Sequence, residues 1–189
     1  MINKLVYSFI FYSLFKKSDG ILYQMEIEQK NAVSLKQPEV VFLSFFGIGF
    51  APWAPGTFGT VGTLPFLYLL GLMEAPFLIF VPFIAVFTAI SCFIADYAQK
   101  KYKLHDPGWI VIDEVLGMSV TWLFLQSQDL LHLAIAFALF RFFDIIKFWP
   151  ASYFDKEVHH GSGTILDDII SGIYAGLVYL GINATGLIS

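Results

Sequence analysis

Leu104 to Met118 reads LHDPGWIVIDEVLGM, and this stretch decides how the rest of the chain is understood. Asp113 and Glu114 stand side by side at the head of an apolar run, and the next charge is Asp129. An ionised carboxylate in such surroundings is costly unless it is paired, solvated or bound to a metal. Neighbouring residues on a helix point about 100° apart, so the two acids are expected on different faces. One is expected at a metal and the other at a cation, a backbone group or a neighbouring helix. The remainder of the chain must supply what makes these acids tolerable.

Composition gives the setting. The 189 residues are 57% hydrophobic and 18% aromatic, and only 14% are charged, against roughly 25% for a soluble domain. Mean hydropathy is +0.70. These values imply an all-α integral membrane protein. A net charge of −4 argues against a nucleic-acid partner. The single cysteine, Cys92, lies in an uncharged apolar run and reads as a packing residue.

Outward from the opening stretch, the pattern is one of apolar runs broken by charge. Residues 2–15 are apolar and aromatic but too few to span comfortably, so an interfacial helix is expected, followed by a linker to about residue 39. The membrane domain is expected over 40–189. Val40 to Phe50 is short and runs into APWAPGTFGTVGTLP at 51–65. Its prolines and glycines argue against one regular helix throughout. A short re-entrant segment, a polar turn and a helix from about 58 to 72 are expected, with the irregular backbone covered by protein or water. Further helices are expected near 77–99, 110–126, 130–149 and 164–187, with PASYFDKEVHHGSG as a polar loop before the last. The fold class is thus a polytopic helix bundle with about four to five spanning helices. Lys and Arg near 100–103 and 147–156, and their absence near 71–76 and 126–132, orient the bundle. The first side is cytoplasmic and the carboxyl terminus external. Trp53, Trp109 and Trp149 then fall near the inner interface and Trp122 near the outer one.

That topology brings polar residues from separate helices to one depth. Asp113 and Glu114 begin one helix, Arg141, Asp144 and Lys147 end the next, and Asp167 and Asp168 begin the last. Each group lies about 5 to 12 Å from the inner mouth at 1.5 Å per residue. A single acid–base pair there would be ordinary helix glue. An excess of acids over bases at one level repels itself unless a cation joins it. Hard oxygen ligands suit Mg²⁺, which binds carboxylates, water and phosphate oxygens together. Arg141 and Lys147 are then candidates for phosphate, or neutralise Asp144 and extend to the interface. The turn Pro55 to Thr60 offers backbone N–H groups and the hydroxyls of Thr57 and Thr60 beside Gly56. His105, His159 and His160 are placed to move protons, whereas His132 lies at the far side. Gly172 and Gly176 form a small-residue stripe suited to close helix packing.

Four motifs, PGTFGTVGTLP, HDPGWIVIDEVLGM, FRFFDIIKFWP and GSGTILDDIISG, occur in an order and spacing that resemble the bacterial phosphatidylglycerophosphatase A family from about Val40 to Gly181. Ile112 and Phe148 depart from the usual family residues at positions concerned with packing. The resemblance implies a Mg²⁺-dependent membrane phosphatase of the bacterial inner membrane, its site facing the cytoplasm. The substrate would be the phospholipid phosphatidylglycerophosphate and the products phosphatidylglycerol and phosphate. It implies Asp113, Glu114, Asp144, Asp167 and Asp168 as metal-site residues. Asp113, Glu114 and Asp168, with His105, are the catalytic candidates. Gly56, Thr57, Thr60, Arg141 and Lys147 are the substrate-binding candidates. The chain lacks the Asp-x-Asp-x-Thr signature and a Cys-x5-Arg loop, which favours attack by water over a phosphoenzyme. A CDP-alcohol phosphatidyltransferase is disfavoured because its DG-x2-AR-x8-G-x3-D-x3-D pattern is absent. An ion or proton transporter would spread its acids across the bilayer rather than gather them at one mouth.

Overall fold

The computed structural model describes residues 33–73, 77–104, 106–158 and 160–188. The chain divides after Ser34, and the second unit, Leu35–Ser189, carries every element below. The expected interfacial helix at 2–15 lies outside the described residues. Seven α-helices and one 3-10 turn make up the described fold: α1 (Pro38–Leu43), the turn Ile48–Phe50, α2 (Pro55–Leu72), α3 (Phe77–Tyr102), α4 (Ile112–Trp122), α5 (Leu130–Ile146), α6 (Ala151–Glu157) and α7 (Gly161–Ala184). No strand occurs among the described residues.

The centre is α4. Nine residues of this helix, Asp113 among them, are buried. It spans only 11 residues, about 17 Å, because other helices sheathe it and the chain on either side continues its path irregularly. On one side of it lies an apolar core of Leu67, Met118, Trp122, Leu133, Ala136, Phe140, Ala175 and Tyr179, drawn from α2, α4, α5 and α7. α4 and α7 approach until their backbones touch. A Cβ on Gly172 would lie 2.3 Å from the Gly117 carbonyl oxygen, and one on Gly117 would lie 2.7 Å from that of Asp168. The Thr121 hydroxyl stitches the crossing, 3.1 Å from the carbonyl oxygens of both Gly117 and Gly172.

α3 is the outermost long helix. Ile79, Phe83, Val86, Ile90 and Phe93 lie exposed along it, while the small residues Ser91, Ala95 and Ala98 are buried. A continuous outward apolar face fits a hydrocarbon surround better than water. Among the described residues, α3 and α7 are the helices long and apolar enough to cross a bilayer by length and composition, over Ile79–Tyr102 and Gly161–Ala184.

Boundaries differ from the sequence expectation where local chemistry was hidden. α2 starts at Pro55, in the first turn, where a missing N–H costs nothing. It then runs through Pro65, which the helix expected from about 58 to 72 already contained. Thr60 and Thr63 hydroxyls bond the carbonyls of Gly56 and Gly59, each at 2.9 Å, so the polar side chains satisfy themselves within the helix. The supposed polar loop after Pro150 contains α6, a two-turn helix. α7 starts at Gly161, three residues before its expected start. Asp96 of α3 explains the early start, since its Oδ1 accepts the Ser162 N–H at 3.0 Å and caps α7 from another helix.

The short helix α1 precedes a reversal in which Phe45, Phe46 and Gly47 all have positive φ. Gly47 N–H donates to Ser44 Oγ at 3.0 Å, and Val111 N–H donates to the Leu43 carbonyl at 2.9 Å. These bonds tie the irregular stretch against the strand of chain that leads into α4. Phe50 stacks on Trp109 with the rings 6.0 Å apart. α1 is held from its other side by Glu39, whose Oε1 lies 2.5 Å from Lys101 Nζ at the end of α3.

Candidate metal centre

The acids converge because of where the glycines fall. Asp113 lies four residues before Gly117, and Asp168 lies four before Gly172. Four residues is about one helical turn, so each acid sits on the same helix face as its glycine, one turn away. The α4–α7 backbone contact therefore sets the two carboxylates opposite each other. Glu114 reaches the same point. One oxygen from each of Asp113, Glu114 and Asp168 lies within 4.8 Å of the others. Asp113 and Glu114 each place an oxygen in this cluster, and Glu114 also lies against Gly56 of the neighbouring helix α2.

Asp167 and Asp168 diverge. Asp168 turns to α4, while Asp167 Oδ2 meets Lys147 Nζ at 2.5 Å. Lys147 ends α5 in the left-handed region, with φ of 49°, where its ammonium reaches two acids at once. Asp155 of α6 is the second partner, at 2.6 Å. Arg141 and Asp144, one turn apart on α5, pair with each other. The five expected acids thus fall into two sets. Asp144 and Asp167 have cationic partners. Asp113, Glu114 and Asp168 make no ion pair among the described residues, and they are the three that cluster.

Two ionised carboxylates 4.8 Å apart repel by about 3.5 kcal/mol at an effective dielectric constant of about 20. Asp113 is 7% and Asp168 3% exposed, so water relieves little of this. Glu114 Oε2 is buried with no hydrogen-bond partner. An orphaned buried carboxylate oxygen beside two further carboxylates is the donor set of a hard divalent cation.

The substrate-side candidates border this cluster. Gly56, in the first turn of α2, lies against Glu114, and a Cβ there would meet Glu114 Oε1 at 1.9 Å and Arg141 Nη1 at 3.4 Å. Thr60 is fully buried, with its hydroxyl 3.5 Å from Arg141 Nη1. Thr57 is half-buried in the same first turn. His105 and His159 lie outside the described residues, and His160 is exposed just before α7. His132 is at the other end, between Asp129 at 2.8 Å and the Ile188 carbonyl at 2.7 Å. Asp155 and Asp96 were not singled out by sequence. Asp155 sat in an apparent loop, and Asp96 looked like the polar end of a span.

The described residues form an all-helical bundle with two long apolar helices, and three of its carboxylates converge on one point, a combination that fits a membrane protein able to hold a metal ion. Comparison with known proteins gives the family. The phosphatidylglycerophosphatase A family model matches residues 41–183, and the chain belongs to that family. It is 33% identical over 151 residues to phosphatidylglycerophosphatase A of Escherichia coli K12, covering 79% of this chain and 87% of that protein. With the protein of the same name from Haemophilus influenzae, identity is 36% over 152 residues, 80% of this chain and 92% of the other. A Bacteroides thetaiotaomicron protein described as a candidate phosphatidylinositol-3-phosphatase is 32% identical over 136 residues, 69% of this chain and 84% of that one. No solved structure matches.

Proposed function

We propose that this enzyme removes the terminal phosphate of phosphatidylglycerophosphate, giving phosphatidylglycerol and inorganic phosphate, at a Mg²⁺ site made by Asp113, Glu114 and Asp168. Family membership carries the phosphatase activity. The observation that supports the site is the convergence of three carboxylates, none paired with a cation, at the α4–α7 crossing. When bound, Mg²⁺ neutralises phosphate oxygens and polarises the phosphorus–oxygen bond that breaks.

The chain's own residues do the rest. A carboxylate of the cluster accepts the proton of a water that attacks phosphorus. The bond to the lipid oxygen breaks, and that oxygen leaves as the alcohol after gaining a proton. Arg141 and Lys147 attract the phosphate, and the first-turn N–H groups of Gly56 and Thr57 add donors at a helix start. Gly56 leaves room for Glu114 where any side chain would collide with it. Asp144 and Asp167 border the cluster and pair with the two cations.

The lipid setting follows the same reading. Besides α3 and α7, the shorter helices α2, α4 and α5 cross the bilayer as a sheathed bundle, and residues 38–54 form the re-entrant stretch. The site opens to the cytoplasm of a bacterial inner membrane, where Lys100, Lys101, Lys103, Lys147 and Lys156 gather. The lipid's acyl chains stay in the bilayer while the headgroup enters.

The testing experiment is phosphate release by the purified protein in detergent–lipid micelles. Phosphatidylglycerophosphate is compared with phosphatidate, phosphatidylinositol 3-phosphate and a soluble phosphomonoester, each with Mg²⁺ and with EDTA. Release from the first substrate, silenced by EDTA and restored by Mg²⁺, is expected. Full turnover in EDTA overturns the metal site, and preference for the inositol lipid overturns the substrate.

A further inference from the structure

We propose that Asp155 is a positioning residue that holds the Lys147 ammonium at the mouth of the site for the substrate's phosphate. The proposal rests on the reading of Lys147 as a phosphate-binding cation. Lys147 ends α5 with its backbone in the left-handed region, so its side chain leaves the helix axis instead of continuing the last turn. Its Nζ lies 2.5 Å from Asp167 Oδ2 and 2.6 Å from Asp155 Oδ1. The two carboxylates differ in depth. The Asp167 side chain is 2% exposed and that of Asp155 is 30%.

An ammonium has three N–H donors, and two are committed here. The third is left for a phosphate oxygen. Lysine has four rotatable bonds and much rotamer freedom, so a single partner fixes its ammonium poorly. With Asp167 alone, Lys147 would settle inward on that buried carboxylate. Asp155 draws the charge toward the opening from the outer side. α6 is the element that brings it there. This helix packs on α7, and Trp149, just before it, accepts the Tyr174 hydroxyl of α7 at 2.8 Å through its carbonyl. Asp155 touches none of the three clustered acids among the described contacts, so its effect runs through Lys147.

The test uses the full chain and the same lipid substrate, with kcat and KM measured separately. Asp155→Ala raises KM by about tenfold, the scale of one charge-assisted hydrogen bond, and leaves kcat within about threefold. Asp155→Asn, whose amide oxygen still accepts from Lys147, restores most of the KM. In a Lys147→Met background, Asp155→Ala produces no further rise. An unchanged or lowered KM in Asp155→Ala overturns the proposal, because Asp155 would then only repel phosphate. An equal KM rise with and without Lys147 overturns it too, by showing a purely structural role. Absence of turnover in the unsubstituted enzyme would instead strike at the proposed function itself.

Discussion

At the scale of single residues, the site depends on which acids have partners. Asp144 and Asp167 are matched by Arg141 and Lys147, and Asp113, Glu114 and Asp168 are not. Asp113→Asn and Asp168→Asn should each lower kcat on the order of 100-fold or more while the protein still elutes as a folded species, a comparison made by steady-state kinetics and size-exclusion profiles. Removal of a like charge from a crowded site should not destabilise the fold, and a raised melting temperature in either variant would agree with that. The acids themselves were plain in the sequence, since charges inside apolar runs stand out. Their sorting was not. It depends on the left-handed backbone at Lys147 and on the reach of Glu114, neither of which leaves a mark in residue spacing. Gly117 and Gly172 carry the complementary prediction. Gly172→Ala places a methyl 2.3 Å from the Gly117 carbonyl oxygen, too close for either helix to remain in place. Such overpacking costs about 1–3 kcal/mol, and it moves Asp113 away from Asp168. Activity should therefore fall much further than the loss in thermal stability alone would suggest. Wild-type turnover in a Gly172→Ala protein would mean that the crossing does not set the site.

At the scale of elements, charge and hydropathy located the helices well, and capping decided their ends. The helices expected near 77–99 and 130–149 appear as α3 and α5, whose composition alone marks them as helices. α6 escaped because a two-turn amphipathic helix after a proline looks like a polar loop. The early start of α7 escaped because its cap, Asp96, comes from another helix. α5 shows a cap that lies within one sequence window. Asp129 precedes the helix and accepts the His132 backbone N–H at 3.0 Å and a ring nitrogen at 2.8 Å, with Ser127 Oγ at 2.9 Å. The backbone N–H above all, then the ring and the hydroxyl, holds the Asp129 carboxyl well below the usual carboxylate range. A carboxyl depressed by folding stabilises the protein above its unfolded value, about 3.9, and that contribution fades as pH falls through the folded value. Asp129→Ala should then lower the melting temperature at pH 7, and the gap from the parent protein should narrow as the pH falls below about 4. A gap that stays constant across that window would remove the ion-linked part of the cap.

At the scale of the whole unit Leu35–Ser189, the clustered acids lie near the starts of α4 and α7 and the Arg141–Asp144 pair near the end of α5, whereas the Asp129–His132 pair caps the start of α5. The proposed orientation can be read with cysteines. With Cys92 replaced by serine, a cysteine at Lys103 should react with a membrane-impermeant maleimide only in inside-out vesicles, and one at Ser127 only in right-side-out vesicles. The reverse pattern would place the site outside. A proposal narrower than topology is that the three carboxylates without a cationic partner seat a divalent ion. Mn²⁺, used in place of Mg²⁺ as a paramagnetic probe, tests it by electron paramagnetic resonance titration of the purified protein. Saturable binding by the parent protein and by Asp167→Asn, lost in an Asp113→Asn, Asp168→Asn double variant, is the expected result. Equal Mn²⁺ binding by the double variant and the parent would contradict it.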